Sequence, residues 1–420
     1  MYFFKFLLSA HLLCKCMLAV LSILILSSCT DKRIAIIWTD RPEFALYGEF
    51  FNSLQTQYKV SVRYVAFPGS QLERAEHPDL VIASWLKNSS MDSNFTSLNN
   101  LFRRNRLSRD VFYSQLLAMG RVNRTQFLLP VSFNIPALIF LRNEDLELSN
   151  QFTIDFDEIK QLSRSFNRMD RGSYTNMGFS PLWNDEFLFT VATLSGVSFR
   201  ENSPLAWDTA ALERSMVFIN NWTNTINTSI LLDDDFYYKY FVEPPERLVQ
   251  SGRILFYYMD SSTLFVLSDE RKNNLDFRWI MEQGLIPVTE NSVYLGIPRG
   301  ARSQRAARAF ILWFFQVENQ RLLLEQSRTF RINESVFGIS GGFSSLIPVT
   351  EQIYPVFFPE LLGRMPPSEN FTPANILPSN WVILKERVIL PFLHERSRVE
   401  SSGQTAPLER RLSDWLRLNR

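Results

Sequence analysis

Five short stretches of this 420-residue chain set a flat ring beside a polar side chain, the combination that holds a small polar solute. They are Trp38 with Asp40, Ser84 with Trp85, Phe133 with Asn134, Trp183 with Asn184 and Asp185, and Tyr258 with Asp260. A carbohydrate presents apolar C–H faces and a rim of hydroxyls. An indole or phenol ring covers the face, while carboxylates, amides and hydroxyls hydrogen-bond the rim. Any one of these rings reads equally well as core packing, and only the set of five weighs against that reading. Aromatic residues make up 14% of the chain, with 36 Phe, 13 Tyr and 9 Trp. Most of them must therefore be core.

Other chemistries find less support. Histidine is scarce: beyond His11 there are only His77, beside a proline, and His394, in a C-terminal helical stretch. No H-E-x-x-H is present, which argues against a zinc hydrolase. Gly338-Ile339-Ser340-Gly341-Gly342 matches G-x-S-x-G, but a nucleophile elbow needs a buried strand before it and a helix after it. Val336-Phe337 is too short for the first, and Gly342-Phe343-Ser344-Ser345 opens no helix. Glu351 and His394 would have to complete the triad, so a flexible hinge is the simpler reading of the glycines. Asp233-Asp234-Asp235 lacks the spacing of a calcium loop and reads as a solvated helix N-terminus. The 43 Asp and Glu offer many carboxylate pairs for glycoside hydrolysis, with none marked out. No phosphate-binding loop occurs, so the chain is not itself an ATPase. No cofactor or metal is implied. A net charge of +1 with both signs interspersed gives no field to attract nucleic acid.

The aromatic pairs fall where strands are expected to end. Arg33 to Trp38 reads as a buried strand, Phe44 to Tyr58 as a helix, and Val60 to Val65 as an alternating strand. Pro78 to Ala83 is a third strand, ending on Ser84-Trp85. Strand, helix, strand in this order predicts a parallel sheet, whose ligands bind beyond the carboxyl ends of the strands. A Pro-interrupted apolar segment from Leu128 to Leu141 follows. Residues 150 to 280 read as a second α/β unit, with helices over Asp155–Phe166 and Thr209–Asn224 and a buried strand reaching Asp260. A return strand at Val293–Pro298 precedes a long helix over Ser303–Glu325, and the tail from Pro378 offers two helices.

At the other end, Met17 to Leu26 is an apolar run with Lys5 and Lys15 before it and Ser27-Ser28-Cys29 after it. A core of about ten residues is short of the roughly 20 that cross a bilayer. A basic flank, a short apolar core and small residues make an export signal over residues 1–28, and a cysteine in the next position is the lipobox arrangement of bacterial lipoproteins. Cys14 and Cys16 would leave with that signal. Cys29 would become the acylated first residue, with no thiol left for a disulfide or a metal. About 390 residues would remain, more than one core organises, so two lobes are expected.

Several motifs together resemble the extracellular solute-binding proteins of ABC importers, in the group similar to maltose-binding protein. The matching pieces are the first strand ending in Trp38, Pro78-Asp79-Leu80-Val81, Leu129-Pro130-Val131-Ser132 and Ser251-Gly252-Arg253. The most specific is Ile297-Pro298-Arg299-Gly300-Ala301 followed by Ala306-Ala307-Arg308-Ala309-Phe310 and Asn319-Gln320. Ser402-Gly403-Gln404-Thr405 resembles the turn before the family's last helix. Asn291-Ser292 stands where relatives often carry a glycine pair. The resemblance implies an α/β fold of two lobes, type II-like, each a mainly parallel sheet flanked by helices. Lobe 1 would comprise 29–137 plus 290–336, and lobe 2 would comprise 138–289 plus 337–420. Crossings would lie near 137–142, 284–292 and 337–347. It further implies a non-enzymatic, monomeric receptor, lipid-anchored to a membrane of the bacterial envelope through Cys29, which closes on a sugar or oligosaccharide and delivers it to a membrane permease. A lipid-anchored glycan-active hydrolase and a surface lipoprotein reusing the clamp for adhesion are the alternatives.

Overall fold

A computed structural model describes residues 33–72, 77–142, 146–202, 205–399 and 405–418. Cys29 and the apolar run before it lie outside the described residues, as does most of the Ser402–Thr405 turn. Two open sheets organise the rest, each covered by helices.

The first sheet begins with β1 (Ile34–Thr39), β2 (Lys59–Tyr64) and β3 (Leu80–Ala83), paired in parallel with β1 in the middle. The crossover between β1 and β2 is helix α1 (Phe44–Leu54), which buries Phe44, Tyr47, Gly48 and Phe51 against the sheet. Gly48 is required by closeness: a Cβ there would sit 2.8 Å from Val62 Cγ2. The expected helix over 44–58 stops at Leu54 because Asn52 turns back to bond Val60 N–H and C=O, binding the helix end to β2. The chain then adds β4 (Leu129–Phe133) and, from far downstream, β9 (Val293–Gly296) and β10 (Phe343–Ser344). The order across the sheet is β10-β4-β9-β3-β1-β2, with β9 antiparallel to both β3 and β4.

Only Asn134 and Ile135 separate β4 from β5 (Pro136–Leu141), which already belongs to the second sheet. That sheet runs β7-β5-β8-β6, where β6 is Thr153–Ile154, β7 is Phe256–Asp260 and β8 is Leu275–Ile280. β5 is antiparallel to both β7 and β8, and only the short β6 is parallel to its neighbour. The two-lobed α/β architecture is as expected, but the pairing is mixed rather than mainly parallel. Strands that arrive by crossing between lobes run against those built by local helical crossovers.

Two further expectations are corrected. The third crossing does not fall at the expected 337–347: Phe343–Ser344 pairs with β4, so the chain is still in the first sheet there. It passes over later, where Arg364 forms an ion pair with Asp276 of β8 and its C=O accepts a bond from Trp279 Nε1 at 2.8 Å. The long helix over 303–325 is two, α6 (Gln304–Phe314) and α7 (Val317–Thr329). Asn319 and Gln320 donate side-chain N–H groups to the carbonyls of Trp313 and Phe314, at 2.7 and 3.2 Å, which satisfies the first helix's end and favours the break.

The second lobe packs α2 (Phe156–Phe166), α3 (Asp185–Leu194), α4 (Thr209–Ile226) and α5 (Ile230–Tyr240) around its sheet. Asp155, Asn184, Asp208 and Ser229 cap these four helices with side-chain oxygens. A helical run over 381–397 covers α3 and α4 and widens into a π turn at Lys385–Ile389, and one more helix, Leu408–Leu418, follows it. Pro391 supplies the cause, since it has no N–H for the carbonyl one turn back. No helix among the described residues is long and apolar enough to cross a membrane.

Candidate ligand-binding cleft

The carboxyl ends of β3 and β7 face a shared cavity of about 600 Å³, within the range of small-molecule sites. Trp85 reaches it from the first lobe. Asn184, Glu186, Tyr257, Tyr258 and Asp260 reach it from the second. Thr289, Glu290 and Asn291 line it from the crossing that leads into β9, and Lys385 comes from the π turn.

Trp85 is held in an unusual conformation. Its φ is +64°, in the left-handed region that a bulky residue occupies at a cost. Such strain persists where surrounding structure enforces it, often at a ligand site. Here the enforcement is visible: Ser84 is buried, donates to Asn291 C=O at 3.0 Å and accepts a bond from Arg41. Lys87, two residues on, is buried with Nζ 5.1 Å from the centre of the Tyr294 ring. Burial pulls its pKa down to about 8, with Glu290 opposing.

The floor of the cleft is an ion cluster. Lys385 bridges Glu290 and Glu186, and both Lys385 and Glu290 are almost fully buried. Burial disfavours the ammonium, but the two carboxylates outweigh it and raise its pKa. Glu186, about half exposed, is itself raised, first by desolvation, with Lys385 opposing. Trp381 Nε1 lies 3.5 Å from Glu290. On the second-lobe wall, Asp260 Oδ1 accepts from Thr263 N–H at 2.9 Å and from Ser262 Oγ at 2.8 Å, capping a short helix. Asn184 Oδ1 caps α3 through Glu186 and Phe187 N–H. Tyr258 is buried, with its hydroxyl 3.2 Å from Thr190 Oγ1.

Of the eleven ligand-contact residues read from the sequence, Trp85, Asn184, Tyr258 and Asp260 line this one cavity. Ser84 and Asp40 stand behind Trp85: Asp40 pairs with Arg41 at 3.3 Å, and burial raises its pKa. Trp38 packs into an apolar cluster with Val81, Phe95, Leu128 and Tyr294. Phe133 is fully enclosed by the rings of Tyr113, Phe343 and Phe371. Asn134 acts as a tie at the crossings: its Nδ2 donates to Gly341 C=O at 2.9 Å, its Oδ1 accepts from Ser261 and its C=O accepts from Thr289 N–H.

Trp183 is buried, stacked on Phe236, and gives its indole N–H to Asp233 Oδ1 at 2.8 Å. Asp233 is therefore not the solvated helix residue expected. It also accepts from Ser180 and from Asn227, and burial pushes its pKa up to about 6. Asp185 is exposed and bonds His394 Nδ1 at 2.9 Å beside a smaller cavity of about 380 Å³. The G-x-S-x-G serine, Ser340, is buried with φ +55°. Neither described histidine is bonded to it: His394 bonds Asp185 and Arg398, and His77 packs over Gly300.

The residues that sequence reasoning missed are Tyr257, Glu186, Glu290 and Lys385. Tyr257 precedes the ring chosen in the same strand. Glu290 carries a faint signal, a charge in an apolar crossing after Ile286-Pro287-Val288. Lys385 has none, because a lysine in a C-terminal helix ordinarily faces solvent.

No protein-family model matches the chain, and no curated protein does. Solved structures do match, and what they share with this chain is the fold. The cyclic alpha-maltosyl-1,6-maltose binding protein from Arthrobacter globiformis is 16% identical, with a TM-score of 0.59 over 90% of this chain and 96% of its own. An ABC substrate-binding protein from Listeria monocytogenes in complex with cycloalternan is 13% identical, with a TM-score of 0.57 over 91% and 97%. The GacH receptor of Streptomyces glaucescens, solved unliganded and with acarbose, is also 13% identical, with a TM-score of 0.56 over 91% and 97%.

Proposed function

We propose that this chain is the receptor of an ABC importer, capturing a sugar or oligosaccharide between its lobes and delivering it to a membrane permease. The observation that carries the reading is the cavity between the lobes, where Trp85, Tyr257 and Tyr258 stand beside Asn184, Asp260 and Glu290. Rings for a pyranose face and polar groups for its hydroxyls thus meet on both sides of a hinge, in a fold shared with proteins named for oligosaccharides. Trp85, Asn184, Tyr258 and Asp260 touch the solute. Asp40 and Ser84 support Trp85 and Asn134 ties the hinge, whereas Trp38, Phe133 and Trp183 pack into the lobes and Asp185 lies at the smaller cavity. Lobe 1 takes in residues 337–344 as well as the segments expected from sequence, and lobe 2 holds the C-terminal helices.

As a receptor the protein is monomeric and leaves its ligand unchanged. Cys29 carries the lipid that holds it to an envelope membrane. A panel of sugars screened by melting temperature tests the reading, since a ligand at a hundredfold excess over Kd stabilises by about 2.7 kcal/mol. The bound form should also scatter X-rays with a smaller radius of gyration, as lobe closure requires. A chemically altered ligand recovered after incubation would instead favour an enzyme.

A further inference from the structure

Charge in the cleft narrows the ligand class, and the argument rests on the sugar-receptor reading above. We infer that the solute is a saccharide carrying a free, protonated primary amine. Five carboxylates line the cavity, those of Glu186, Glu246, Asp260, Glu290 and Glu386, against two cations, Lys385 and Arg271. The cations are already committed. Lys385 is shared between Glu290 and Glu186, and Arg271 directs Nε and Nη2 to Oε1 of Glu246.

That arrangement leaves acceptors over. Glu246 is only 1% exposed, yet its Oε2 has no partner among the described residues. A carboxylate oxygen left so is costly unless a donor arrives. Asp260 uses Oδ1 for its helix cap, and among the described residues none bonds its Oδ2. Glu386 is exposed at the rim. Among the described residues no three of these acids gather closely enough to hold a metal ion.

The surplus negative charge repels uronic acids and sugar phosphates, and low-dielectric walls focus the field. A neutral sugar gains nothing from it. An ammonium group brings three donors on one centre for separate carboxylates, and the rings of Trp85 and Tyr257 attract it as well. Asn184 and Asn291, whose Oδ1 atoms serve the α3 cap and Thr289 Oγ1, also line the cavity with amide groups suited to hydroxyls, which fits a saccharide better than a linear amine.

Calorimetry on the detergent-solubilised full chain tests this at mildly acidic pH. The probes are glucosamine oligomers, their N-acetylated counterparts, maltotriose, an oligouronate and spermidine. The glucosamine oligomer should bind at least tenfold more tightly than its acetylated form, with a preference that shrinks at high salt. Asp260→Asn should remove most of that preference at an unchanged melting temperature, because Asn caps a helix as well as Asp does. Equal or better binding of the acetylated, neutral or uronic sugars overturns the amine and leaves the sugar receptor standing. Spermidine binding with no saccharide binding overturns the sugar reading itself.

Discussion

Trp85 offers the sharpest separation between a residue that binds and one that packs. Its ring is half-buried and faces the cavity, while its backbone sits at φ +64°. A sugar stacked on one indole face would cover about 60 Å² of it, worth ~1.5 kcal/mol, or roughly tenfold in Kd. Trp85→Ala and Trp85→Gly should both lose about that factor. Their stabilities should differ in an unusual order. Alanine keeps the left-handed strain, roughly 1–2 kcal/mol for an L-residue, whereas glycine releases it and gives back about 0.5–1 kcal/mol in unfolded-chain entropy. Glycine should therefore be the more stable variant, by up to about 1.5 kcal/mol. Denaturant unfolding of both variants, beside titration with a sugar found to bind, reads the two effects separately. If glycine proves the less stable, the strain does not exist. If affinity is unchanged in both, Trp85 is not a stacking platform, and the cleft assignment loses its main ring. Trp38→Ala and Trp183→Ala provide the contrast: both rings are 6% exposed, and each substitution should cost about 3–5 kcal/mol of stability.

Three other outcomes are expected. Asp233, held up at about pKa 6 by burial against an ordinary 3.8, favours the fold at low pH and loses that contribution as pH rises through 6. The stability difference between wild type and Asp233→Asn should thus shift by about 1.4 kcal/mol between about pH 7 and pH 5, the wild type gaining on acidification, and parallel pH curves would refute it. Lys385→Ala leaves Glu290 buried without its cation and should destabilise by about 3–5 kcal/mol, whereas Lys385→Ala with Glu290→Gln should recover much of the loss. Cys29→Ala should abolish incorporation of labelled lipid and release the protein from membranes; continued detergent-dependent fractionation with label would end the lipoprotein proposal.

How much was legible follows from how local each feature is. β1, β2 and β3 were readable because each is a short β-branched run between turn signals, and the α2 and α4 boundaries because Asp155 and Asp208 sit at their caps. The break between α6 and α7 was hidden, since side-chain bonds from Asn319 and Gln320 make it rather than Pro or Gly. The aromatic pairs at strand ends located the right region, but sequence alone could not tell Trp85 from Trp38. Trp38 lies near the end of one apolar strand and Trp85 just beyond another. One turns outward on a left-handed residue, and the other packs into an apolar cluster.

The sequence by itself determined the alternation of strands and helices, the two-lobed class and the aromatic surplus, because periodicity and composition act over a few residues. Tertiary structure alone decided which strands run antiparallel, that Phe343–Ser344 closes the first sheet, and that Asp233 is buried. It also decided the cleft's chemistry. Glu186, Glu290 and Lys385 stand about a hundred residues apart in sequence from one to the next, and their charges meet only because two chain crossings and a π turn bring them together. Coulomb interactions depend on distance in space, which no pattern along the chain encodes.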